Sequence, residues 1–137
     1  MLVAPGGVAR LDAQHVLIAW KETREARRAV QSALPFLQAA DRVTLLAVAE
    51  DVLEADAPVQ LGDIEAYLRR HRVVVGAKTV LRPDGTASEQ IKDAAKSEKA
   101  GLIVAGAYGH TRLGEWIFGG VTRDLLQTSK VCCLFST

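Results

Sequence analysis

The chain is predicted to fold as an open parallel α/β sheet with helices on both faces. Strand-like and helix-like stretches alternate along its whole length. The strand-like stretches are continuous aliphatic runs, the pattern of a sheet buried on both sides. The run Leu102-Ile103-Val104-Ala105 opens at Gly106 into a loop carrying Gly109 and a Gly119-Gly120 pair, and a further helix follows. That order, strand to glycine loop to helix, is how parallel sheets offer backbone N–H groups to an anion.

His15-Val16-Leu17-Ile18-Ala19-Trp20 is the first strand. Thr23 can cap the next helix, in which Ala26, Ala29, Val30, Ala33, Leu34 and Leu37 recur at helical spacing. Pro35, inside that pattern, is expected to kink the helix or end it early. Residues 43–48 form the second strand, and residues 50–60 a polar, acidic loop. A short helix over residues 63–70 places Ile64, Tyr67 and Leu68 on one face. Residues 73–81 are the third strand, closed by an Asp84-Gly85 turn. Thr86-Ala87-Ser88-Glu89 has capping-box spacing and opens a helix reaching about Lys99. Residues 102–105, 119–129 and 131–135 supply the fourth strand, fourth helix and fifth strand.

With 137 residues the chain makes one domain with a sizeable core, and 49% hydrophobic but only 5% aromatic content means a core of Val, Leu, Ile and Ala. A net charge of +1 gives no global field toward nucleic acid or an anionic membrane. No apolar run is long enough to span a bilayer and no signal peptide is legible, so a cytoplasmic location is expected. Cys132 and Cys133 are strand neighbours on opposite faces, poorly placed to bond each other and without redox-motif spacing. His15, His71 and His110 are scattered, with no metal-ligand spacing and no nucleophile motif, so neither a metal nor an enzyme activity is expected.

The segment GLIVAGAYGHTRLGEWIFGG, residues 101–120, resembles the signature of the universal stress protein family: glycine, two residues, glycine, nine residues, glycine, then a hydroxyl residue. Gly106, Gly109 and Gly119 fall on the three glycines, and Gly120 stands at the hydroxyl position. The resemblance covers residues 15–137, as one domain behind an extension of residues 1–14. It is greatest to the second repeat of tandem bacterial members. Met1-Leu2-Val3-Ala4-Pro5-Gly6 resembles the end of a preceding repeat and its linker; an ordinary flexible N-terminus is the other reading.

The resemblance implies a Rossmann-like, five-stranded sheet in the order 3-2-1-4-5, similar to the adenine nucleotide alpha hydrolase-like folds. In that order a crevice opens between strands one and four, where ligands of such sheets bind. It further implies a nucleotide site at Ala19, Trp20, Lys21, Val48, Gly106, Gly109, His110, Gly119, Gly120, Val121 and Thr122. Two positions depart from the pattern. Lys21 replaces the aspartate that contacts the nucleoside, and a cation cannot accept its hydrogen bonds; it attracts phosphate or is a solvated surface lysine. Gly120 keeps the backbone donor but loses the hydroxyl, at a cost of about 1.5–3 kcal/mol, which Thr122 can partly offset. Val48 lies against the adenine in binding members and is equally explained as core. His110 is a phosphate contact or a plain loop histidine, and Trp116, Ile117 and Phe118 anchor the loop or meet a partner.

The expected function is therefore a non-catalytic stress-response binding module. Its crevice takes a nucleotide or other phosphate-bearing ligand, with ATP or AMP bound weakly or not at all. Slow ATP hydrolysis and a structural module with a decayed crevice are the competing readings. The apolar last strand carries no proline or charge on an open edge, and the resemblance implies a homodimer through it; a strand near Met1 covering that edge would leave a monomer instead.

Overall fold

The computed structural model describes residues 1–8, 10–48, 57–81, 87–107, 109–112, 115–118 and 120–136. Its elements are β1 (Leu2–Val3), β2 (His15–Trp20), α1 (Arg24–Ala39), β3 (Arg42–Val48), α2 (Ala57–Arg70), β4 (Val75–Leu81), α3 (Ala87–Ser97), β5 (Leu102–Gly106), β6 (Gly109–Arg112), β7 (Glu115–Phe118), α4 (Gly120–Thr128) and β8 (Cys132–Ser136). The main sheet has six strands in the order β1-β8-β5-β2-β3-β4, and β6 pairs with β7 in a separate two-stranded ribbon. The pairings β2–β3, β2–β5, β3–β4 and β5–β8 are parallel.

The sheet thus exceeds the five strands expected. The sixth, β1, runs antiparallel to β8, with Leu2 opposite Leu134 and Val3 opposite Cys133. The Met1 ammonium donates to the Phe135 carbonyl at 2.6 Å, and the Phe135 N–H donates to the Met1 carbonyl at 2.8 Å. The edge read as open is therefore covered by the chain's own first residues.

Strand alternation sorts the core into two layers. Val16, Ile18, Trp20, Val43, Leu45, Leu102, Val104 and Cys132 pack with Ala29, Val30 and Leu37 of α1 and with Leu61, Ile64 and Leu68 of α2. Leu17, Leu46, Ile103, Cys133 and Phe135 pack on the other face with Ile91 and Ala95 of α3 and Leu125 of α4. The adjacent cysteines are both buried, one in each layer.

Local rules account for most boundaries. Thr23 has extended backbone, and its hydroxyl accepts from the Ala26 N–H at 3.1 Å, so it caps α1 as the sequence predicts. Pro35 does not end α1, which runs on to Ala39. Pro35 lies on the exposed side, while Leu37 beyond it is buried and the Gln38 side chain donates to the His71 carbonyl, so the last turn is held by its packing. α2 begins at Ala57, within the segment read as a loop, because Leu61 adds a buried residue one turn before Ile64 and Leu68. The chain leaves α2 and α3 through left-handed residues, Arg72 at φ 63° and Lys99 at φ 55°. Val73 N–H then donates to Leu68 O, and Ala100 N–H to Ala95 O, closing each helix end with a Schellman pair. The asserted capping box at Thr86 and the Asp84-Gly85 turn lie outside the described residues.

The first turn of α1 sits directly on the end of β5. A Cβ placed on Gly106 would lie 2.5 Å from the Ala26 nitrogen and 2.9 Å from the Glu25 carbonyl carbon. Backbone, not a pliable side chain, is what it would strike. Gly106→Ala is expected to destabilise the fold by about 1–3 kcal/mol, the usual cost of overpacking, as a lower denaturation midpoint with unchanged slope.

Candidate functional site

The succession of strands reverses between β2 and β5. From β2 the chain crosses through α1 to β3 on one side, and from β5 it reaches β8 on the other. Open α/β sheets bind ligands at the carboxyl edge of such a pair. Ala19 is level with Ala105 and Leu46, and Trp20 with Ala47, so Ala19, Trp20, Lys21, Val48 and Gly106 gather on that edge. Lys21 is exposed.

The second half of the predicted site follows Gly106. Gly109 and His110 begin β6, opposite Phe118 and Ile117. Gly119 lies outside the described residues. Gly120 opens α4, Val121 is half-buried against the α3–α4 layer, and Thr122 is 1% exposed. The first glycine has a structural duty of its own, since the space of its missing side chain is filled by α1.

Sequence neighbours in the candidate site are divided by the pleat. Ala19 faces the layer of α3 and α4, whereas Trp20 faces that of α1 and α2. The Trp20 indole therefore lies on the opposite face of the sheet from α4. It is 4% exposed, and its Nε1–H is buried without an acceptor among the described residues. Leaving such a donor unpaired costs about 1–3 kcal/mol. The same indole walls a cavity between α1 and α2, with Tyr67 and Ile64 among the other walls. Sequence reasoning missed this cavity; its signal was a large aromatic residue with a polar N–H closing an otherwise aliphatic strand.

On the far face, α4 is locked to α3 through one carboxylate. Asp124 accepts from the Ser88 hydroxyl at 2.7 Å and from the Lys92 ammonium at 2.9 Å, and Lys92 also reaches Thr128 at 2.7 Å. The Lys92 hydrogen bond, with that of Ser88 behind it, holds the Asp124 carboxyl below its usual value against the opposing pull of desolvation. Burial pushes the Cys133 thiol up, which keeps it protonated and unreactive at neutral pH. Among the described residues, no three His, Cys, Asp or Glu side chains come together as a metal site, and no helix is long and apolar enough to cross a membrane.

The profile of the universal stress protein family matches residues 13–135. The chain belongs to that family. Its fold is shared with solved structures of low sequence identity. The hypothetical protein MJ0577 is 22% identical with a TM-score of 0.74, over 89% of this chain and 94% of that one. A universal stress protein from Archaeoglobus fulgidus is 18% identical with a TM-score of 0.68, over 88% and 95%. A universal stress protein solved in complex with cAMP is 17% identical with a TM-score of 0.68, over 90% and 96%. No curated protein matches the chain significantly.

Family membership gives the α3–α4 lock added interest, because α4 is the helix that the signature glycines introduce. The folded-state value of Asp124 is depressed, so its contribution is present above the unfolded value of about 3.9. It is lost as pH falls through the lower folded value. Asp124→Asn is thus expected to be less stable than the parent at neutral pH, the gap narrowing below about pH 4. Urea unfolding of both proteins across that range checks the direction.

Proposed function

We propose that the chain is a non-catalytic binding module of the stress response, whose carboxyl-edge crevice takes a nucleotide or another phosphate-bearing ligand and holds ATP weakly. The observation that carries this reading is the start of α4 at Gly120, after a loop that leaves β5 at the β2–β5 switch point. The first N–H groups of a helix have no intrahelical partners and carry partial positive charge, so they suit a phosphate. A relative of the same fold was solved with cAMP, which combines an adenine nucleoside with one phosphate.

The identity of two residues sets the expected strength. Exposed Lys21 offers charge to a phosphate but accepts nothing from a ribose, and Gly120 offers only its backbone N–H. Both changes remove specific contacts to a nucleoside triphosphate, and neither supplies a base for turnover. Calorimetric titration with ATP, AMP and cAMP tests this. The combined change Lys21→Asp and Gly120→Ser is expected to tighten ATP binding by roughly one to two decades. Tight ATP binding by the unaltered chain, or steady release of phosphate from ATP, would overturn the proposal.

The β8 edge expected to carry a homodimer is held by β1 in the unaltered chain, so the two compete for it. Two residues of strand cover that edge, and Met1 and Leu2 are exposed. Deleting residues 1–4 is expected to turn a monomer into a dimer in sedimentation at micromolar concentration. A monomer with and without those residues would place no interface at this edge.

A further inference from the structure

The cavity beside Trp20 encloses about 370 Å³ between α1 and α2, on the opposite side of the sheet from α4. That volume lies within the range of small-molecule sites. We infer that it is a second ligand site, separate from the nucleotide crevice, and that it takes a planar aromatic monocarboxylate.

Its walls divide by chemistry. Trp20, Ile64 and Tyr67 present flat or aliphatic surface to the body of a ligand. The Tyr67 ring is braced by His71, with centroids 4.5 Å apart and planes tilted by 47°. Two guanidinium groups reach the cavity, but that of Arg27 is already taken by Glu22. Arg70 makes no ion pair among the described residues. It is the cation left to receive an anion, and its fork matches a carboxylate.

Asp63 also lines the cavity, seven residues before Arg70 on α2. Two helical turns separate them, so one end of the cavity is cationic and the other anionic. A second negative charge on the ligand would meet Asp63, and a triphosphate is disfavoured for the same reason. An aromatic body and one carboxylate complement the Trp20, Ile64 and Tyr67 surfaces and the Arg70 guanidinium.

The chain has two tryptophans, so Trp116→Phe leaves Trp20 as the sole tryptophan, excited selectively near the red edge of the band, where tyrosine does not absorb. Titration of that variant with benzoate is expected to change Trp20 emission saturably, with uncharged benzamide weaker by about tenfold or more. Arg70→Gln, at an exposed position, should weaken benzoate by a similar factor while circular dichroism and the thermal midpoint stay unchanged. Gly120→Ser, on α4 across the sheet, should leave benzoate binding as it was, so this site and the nucleotide crevice stand or fall separately. No saturable change, an equal response to benzamide, or full benzoate binding by Arg70→Gln would each overturn the inference. Loss of benzoate binding in Gly120→Ser would overturn it as well, by moving the ligand to the crevice.

Discussion

The parallel pairing of β2 with β5 is the constraint on which the rest of the molecule depends. Val16, Leu17 and Ile18 lie beside Leu102, Ile103 and Val104, and all six are buried. Each strand sends alternate side chains into different layers, so neither layer packs without the other. The pair also fixes where the backbone comes closest together. At the amino edge, a Cβ on Gly101 would lie 1.6 Å from the Asp12 carbonyl oxygen; at the carboxyl edge, Gly106 receives the first turn of α1. Glycine is thus demanded at both ends of one strand by chain passing over it. A glycine of the signature therefore carries a packing duty as well as any role toward a ligand.

The two helix layers are finished differently. α3 and α4 are joined across their outer surface by Ser88, Lys92, Asp124 and Thr128. α1 and α2 have a cavity between them, with the Glu22–Arg27 ion pair in its lining. A hollow also opens between α3 and the end of α4, lined by Lys96, Ala100, Thr128 and Val131, so what distinguishes the two layers is the hydrogen-bonded link and not the presence of a cavity.

Much of this was legible in the sequence, for physical reasons that also explain what was not. Buried parallel strands need unbroken aliphatic runs, and the runs beginning at His15, Val43 and Leu102 stand out without any partner being known. The apolar stripe of α1 marks the residues that pack, with Ala26, Ala29, Val30, Ala33 and Leu37 all buried. Of the two effects expected of Pro35, the early end does not occur, because the burial of Leu37 outweighs one missing hydrogen bond. β6 was invisible because Gly-His-Thr-Arg shows neither alternation nor an apolar run, and β7 because three apolar residues, Trp116-Ile117-Phe118, are too few to tell a strand from a loop anchor. β1 was weighed only as an alternative, since two residues carry no period at all. At the candidate site, spacing identified the glycines and the end of β2, but a list of consecutive residues cannot show that the pleat sends Ala19 and Trp20 to opposite sides.

The same pleat acts on the adjacent thiols of β8. Cys132 lies beneath the layer of α1 and α2, and Cys133 beneath that of α3 and α4. Two atoms one residue apart in the chain are therefore shielded from solvent by different halves of the molecule. If α1 and α2 lift away while the other layer holds, only the first thiol is bared to a labelling reagent; if α3 and α4 lift, only the second is. The chain carries a built-in pair of reporters that can tell which half of the protein opens first.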